Sequence, residues 1–181
     1  MAHLITEDNL GAWLIKCDPE SNSDLPRQVD HPGTDVVTKW CVANNYRSRM
    51  MKPGDRAILW VSGNGRRMTR GIWGLGWVTG YVQDSRAGTR FAVSNDISID
   101  IPLFEDGAQL SSKELVDAGV TDLEVQVLAQ GSNPSWVTRE QLAQIEMLLG
   151  PWPGYVAPEE GITTSTEGAG LGDAPHNAAV E

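Results

Sequence analysis

Three histidines and two cysteines are all that this chain of 181 residues offers to metal or nucleophilic chemistry. Neither set is arranged for it. His3, His31 and His176 fall near the start, in a loop-like stretch and in the tail, where no rigid element would hold them for acid–base work or metal ligation. C-x-x-C, H-E-x-x-H, a G-x-S-x-G elbow and a P-loop are all missing. These gaps predict a protein without metal or cofactor, and a binding module rather than an enzyme. No apolar run approaches the roughly 20 residues of a membrane-spanning helix, and Met1 to Leu10 contains no sustained apolar stretch. Cys17 and Cys41 are therefore expected as reduced thiols in a cytoplasmic, monomeric protein without a membrane partner.

Positive charge is also scarce, but it is concentrated. The chain carries 14 Lys and Arg against 24 Asp and Glu, a formal net charge of -10. From Lys39 to Arg90, however, ten basic residues face only Asp55 and Asp84, a local charge of +8. What decides nucleic-acid binding is the local field, so an acidic total leaves that class open. Seven tryptophans are many for this length. Each could simply fill the core, but Trp40, Trp60 and Trp73 have polar or basic neighbours that suit an aromatic pocket. Arg66-Arg67-Met-Thr-Arg70 reads as a basic loop between two strands, fit either for solvent or for a phosphate backbone.

The pattern predicts an α+β fold in one domain. Trp13 to Cys17 reads as a first strand stopped by Asp18-Pro19, and residues 20–34 as a loop. Val36, Val37, Trp40 and Cys41 fall at helical spacing, with a second short helix over Tyr46 to Met51 before Pro53-Gly54. Strands follow over Arg56–Val61, Gly71–Val82 and Phe91–Leu103, and the alternation of Leu123 to Leu128 reads as another. The glycines of Gly71-Ile-Trp-Gly-Leu-Gly76 alternate with apolar residues, which suggests close packing or sharp curvature in a strand. Ser111-Ser-Lys-Glu114 and Thr138-Arg-Glu-Gln141 match the capping box and mark two helix starts, the second helix ending at Gly150-Pro151. Residues 1–11 form an N-terminal extension, 12–153 the domain, and 154–181 an acidic tail too poor in large apolar groups to offset its ordering entropy.

Trp13-Leu-Ile-Lys-Cys-Asp-Pro19, Trp40-x-x-x-Asn44-Asn45-Tyr46-Arg47-x-Arg49, Met51-Lys-Pro-Gly-Asp55, Gly71-Ile-x-Gly74-Leu-Gly-x-Val78 and Pro134-Ser-Trp-Val-Thr-Arg-Glu-Gln141 occur in an order that resembles the EVE domain. That family belongs to the PUA-like superfamily, whose relatives include the YTH readers of methylated adenine. The resemblance covers about residues 12 to 149. It departs at Val42-Ala-Asn44, where the family has Gly-Val-Arg, and in the longer connection from Ser62 to Gly71. It implies a curled, mostly antiparallel PUA-like barrel of about five or six strands with short flanking helices. It also implies a pocket that takes a modified base, such as a 5-substituted cytosine or a methylated adenine in DNA or RNA, flipped out if the partner is a duplex. Trp40 with Trp60 or Trp73 would stack on the base. Asn44, Asn45, Tyr46 and Ser62 would line the pocket, with Lys16, Cys17 and Asp18 as the opposite rim and Arg47, Arg49, Arg66, Arg67 and Arg70 on the phosphates. A small ASCH-type hydrolase using Lys16 and Asp18, or a protein-interaction module, are the alternatives.

Overall fold

In the computed structural model, the residues described are 4–20, 35–63, 66–84, 94–105, 107–128, 131 and 133–157. The histidines, Arg86, Arg90 and nearly all of the expected tail lie outside them. The strands are β1 (Leu10–Cys17), β2 (Val36–Ala43), β3 (Arg56–Val61), β4 (Gly71–Val78), β5 (Gln83–Asp84), β6 (Ser94–Pro102), β7 (Leu110–Ser111) and β8 (Ser135–Thr138). The helices are α1 (Tyr46–Met50), α2 (Ser112–Asp117), α3 (Glu124–Val127) and α4 (Arg139–Leu149). No described helix is long and apolar enough to cross a membrane.

The strands form one sheet of eight in the order β2-β6-β4-β3-β1-β8, with β5 paired to β6 and β7 to β4. The α+β class holds, but the sheet is mixed, because β1 and β3 run parallel. Strand pairing leaves β2 and β8 as its two ends, so the described sheet is not closed. It does curl far enough for Ala43 N–H in β2 to donate to the Asn133 carbonyl, just before β8, at 2.7 Å.

Alternation sorts the apolar side chains onto two faces. Trp13, Ile15 and Cys17 of β1 join Leu59, Val61, Trp73, Ile97, Ile99 and Ile101 in one cluster, which also takes in Ile5 from the expected N-terminal extension. Leu14, Ile58, Trp60, Ile72 and Leu75 form the other with Leu115, Leu142 and Ile145 from the helices. With both faces covered, β1 and β3 are near-continuous apolar runs, as central strands must be. A Cβ on Gly74 would stand 2.6 Å from the Pro102 carbonyl, and one on Gly76 would collide with that of Asp100. Close approach of backbone explains these glycines, as the sequence suggests.

Both capping boxes are present, with Ser111 Oγ accepting from Glu114 N–H at 3.1 Å and Thr138 Oγ1 from Gln141 N–H at 3.2 Å. Two expected elements are replaced. The segment read as a helix around Trp40 is strand β2; its β-branched Val36, Val37, Thr38 and Val42 favour the pleat. A register shift between Val37 and Lys39 breaks the period of two and made the apolar spacing look helical. Leu123 to Leu128, read as a strand, is instead the single turn α3, started when Gln126 Oε1 accepts from Leu123 N–H at 3.0 Å. The turn buries Leu123 and Val125 and leaves Val127 and Leu128 exposed.

Candidate functional site

Strand β1 ends in a polar corner formed with β2 and the turn before β8. Asn133 Oδ1 accepts from Lys16 N–H at 3.1 Å, while its Nδ2 donates to the carbonyls of Lys16 at 3.2 Å and Cys41 at 3.4 Å. Trp40 Nε1 donates to the same Lys16 carbonyl at 3.2 Å, and Lys16 Nζ donates to the carbonyl of Gly131. Next to this, Ser62 binds the Cys17 carbonyl through its N–H at 2.7 Å and its Oγ at 3.0 Å. The Trp40 ring is half-buried, resting on the first core cluster. Partial burial pulls the Lys16 ammonium below the usual lysine range, against the opposing pull of Glu124.

The structure brings Lys16, Asp18, Trp40 and Ser62 to this end of the sheet but separates other expected members. Trp60 is fully buried in the second cluster, on the opposite face from Trp40. It cannot form a second cage wall with it, because the sheet itself stands between the two clusters. Trp73 shares Trp40's side of the sheet but is only 2% exposed, its Nε1 donating to the Thr69 carbonyl at 2.7 Å. Cys17 contributes only its carbonyl to the rim. Its side chain lies in the core, where burial pushes the thiol up to about 12. Asn45 caps α1, with Oδ1 accepting from Arg47 N–H at 2.9 Å and Ser48 N–H at 3.2 Å. That oxygen is therefore engaged. Asn44 and Tyr46 are exposed.

The arginines divide in the same way. Arg47 forms a two-pronged pair with Glu124 of α3 at 2.8 and 2.7 Å, and this bonding holds its guanidinium above the ordinary arginine value. The pair fastens α1 to α3 and is mostly, not wholly, shielded from solvent. Arg70 turns inward, donating to the Val125 carbonyl at 3.0 Å and lying 6.0 Å from the centre of the Trp60 ring. Arg67 donates to the Pro19 carbonyl at 3.3 Å and lies 3.7 Å from the Glu20 carboxylate. It and exposed Arg66 sit on the β3–β4 connection, near the Lys16 end of β1. Arg49 points elsewhere, into a cleft with Lys52 and Arg56.

The basic block thus meets carboxylates from outside itself. Lys39 pairs with Asp96 at 2.6 Å, Lys52 with Glu7 at 2.7 Å, and Arg56 with Glu146 at 3.1 Å, besides the Arg47 and Arg67 pairs. Folding therefore leaves a weaker positive field than the count along the chain suggests. Two residues that the sequence reading passed over now matter. Asn133 ties the corner together and was detectable as an Asn-Pro turn. Glu124 carried no local signal, since its partner is 77 positions away.

No family model matches this chain, and no curated protein does. A solved structure that does is the NMR structure of Rpa0253 from Rhodopseudomonas palustris, 22% identical, covering 78% of this chain and 94% of that one at a TM-score of 0.51. At that identity the likeness speaks for the fold alone.

Proposed function

We propose that the protein is a non-enzymatic reader of a modified nucleobase, taken up at the Lys16–Trp40–Asn133 corner of a PUA-like barrel. The observation that carries this reading is the Trp40 ring. It is half-buried and pinned by its own Nε1 to the Lys16 carbonyl, so a flat surface stands ready beside hydrogen-bonding groups. A pinned ring loses little freedom when a base stacks on it. Stacking on one aromatic ring contributes roughly 1 to 3 kcal/mol, comparable to the few kcal/mol that flipping a base out of a duplex costs. Ser62 and Asp18 offer hydroxyl and carboxylate to a base edge beside the corner that the fully engaged Asn133 amide holds in shape, and Arg66 and Arg67 lie where a flanking phosphate could be met. The Ala43–Asn133 hydrogen bond between the two ends of the sheet supports the barrel.

The test is a panel of oligonucleotides, DNA and RNA, carrying 5-substituted cytosines or methylated adenine beside unmodified controls. Preferential binding of one modified base, lost in Trp40→Ala, is the expected result; equal binding of all members would end the proposal. A second reading rests on Lys16, whose half-buried amine near Glu124 could act on an acylated nucleoside. Product release from such a nucleoside, abolished by Lys16→Met, would favour it.

A further inference from the structure

A second concavity lies at the far end of the same strands. Along β1 it takes Leu10, Gly11 and Ala12, whereas the Trp40 corner takes Lys16. At about 3.3 Å per residue, the opposite ends of this strand stand roughly 20 Å apart. The cleft has a volume of about 620 Å³, the size of a small-ligand site. Its walls carry Arg49, Lys52, Arg56 and Arg139 with the rings of Trp77 and Tyr81, opposed by Glu7 and Asp55.

The two carboxylates do not balance the four cations. Asp55 Oδ2 is held by Trp13 Nε1 at 2.8 Å and Lys52 N–H at 3.0 Å. Glu7 pairs with Lys52 from a side chain 81% exposed, so the pair is easily parted by a competing anion. Arg56 is turned toward Glu146 and lies 5.3 Å from the centre of the Trp152 ring. Arg49 and Arg139 form no ion pair among the described residues. They donate instead to neutral oxygens, Arg49 to Asn44 Oδ1 at 3.3 Å and Arg139 to the Glu7 carbonyl at 3.0 Å. Tyr81 stands at the rim, 69% exposed, its ring available for stacking.

We propose that this cleft binds a phosphate-bearing ligand, with Arg49 and Arg139 on the phosphate and Tyr81 against the attached ring. Guanidinium forks match phosphate oxygens in geometry as well as charge, and a concave wall concentrates their field. The ligand is a free nucleotide or an internal phosphate of a polynucleotide; both present the same group. The proposal does not depend on base recognition at Trp40.

The experiment is a titration of the full chain followed by nuclear magnetic resonance, reading the Trp77 indole N–H and the Gly54 and Arg56 amides. Adenosine monophosphate, a short unmodified single-stranded oligonucleotide, and adenosine as the phosphate-free control are the probes. Saturable shifts of these signals are expected with at least one phosphate-bearing probe and not with adenosine. Saturation by the mononucleotide identifies a nucleotide site, and response to the oligonucleotide alone identifies a backbone site. Arg49→Gln with Arg139→Gln should weaken the response about tenfold or more, Tyr81→Ala several-fold, and Trp40→Ala not at all. Both arginines are exposed, so these changes leave the core intact; if the double variant unfolds, each single change is read instead. No saturable shift at millimolar probe, or shifts that survive loss of the arginines, overturns the proposal.

Discussion

Trp40 Nε1 donates to the Lys16 carbonyl at 3.2 Å, although Trp40 lies on an end strand and Lys16 on β1, next to the opposite end. The contact exists only because the sheet curls. It fixes the edge of a ring that is only partly buried, unlike those of Trp13 and Trp60, and so separates the roles of the tryptophans.

Trp40→Ala should therefore abolish modified-base binding while shifting thermal melting by only a few degrees. Trp13→Ala should cost roughly 3 to 5 kcal/mol, because that ring is fully buried and its Nε1 holds Asp55. Trp60→Ala should behave like Trp13→Ala. Urea unfolding of the three variants checks the contrast; a Trp40 variant as unstable as the other two would make its ring a core element.

The salt dependence of polynucleotide binding should be shallower than a +8 segment would give, since folding pairs much of that charge. Arg66→Ala with Arg67→Ala should reduce the slope of log affinity against log salt by at most about two on duplex DNA, at roughly 0.9 per phosphate lost. Arg70→Ala should instead lower stability, because its guanidinium holds the Val125 carbonyl. Fluorescence anisotropy across a salt series, with melting curves alongside, separates these effects.

The two thiols should differ in reactivity and in their link to stability. Cys41 is exposed and Cys17 buried, so a thiol reagent should label Cys41 in the native protein and Cys17 only on unfolding. Cys17 titrates near 12 when folded and near 9.0 when unfolded, so the folded state holds the proton more tightly. Its contribution to stability is whole below about pH 9 and declines as pH rises toward 12. Urea midpoints at pH 8 and pH 10 should fall less in Cys17→Ala than in the parent chain; an equal fall in both would remove Cys17 as the cause.

Removing residues 158–181 should leave melting unchanged and tighten polynucleotide binding. The segment carries Glu159, Glu160, Glu167, Asp173 and Glu181 and no Lys or Arg, so it competes with phosphates for the same cations. Cutting before Trp152 should destabilise, because Trp152 packs edge-on to Trp77 at 6.4 Å and Tyr155 lies 5.2 Å from the same ring. Melting and binding of both truncations at low and moderate salt provide the comparison.

Much of the fold was legible because its causes are local. Strands β1, β3 and β4 announce themselves as short apolar runs, and two capping boxes mark the starts of α2 and α4 from the spacing of Ser111 with Glu114 and of Thr138 with Gln141. Strand β2 was not legible, since its irregular register with β6 imitates a helical period. In α3, six residues of alternation could not distinguish a strand from a turn capped by its own Gln126. At the site, sequence picked out Trp40, Lys16 and Ser62 but could not assign Trp60 to a face, because parity within a strand says which residues share a side and never which side.

The sequence by itself determined the strand-and-helix inventory in outline, the apolar alternation that buries β1 and β3, the glycines of β4 and the scarcity of groups for metal or nucleophilic chemistry. These depend on residues within a turn or a strand of one another. Tertiary structure alone decided that Trp40 meets Lys16, that Asn133 ties their strands together, and that Arg47, Lys52 and Arg56 find Glu124, Glu7 and Glu146. Those partners are distant in sequence, and only the packing of helices and loops against the curled sheet sets which charges are paired and which remain open to a ligand.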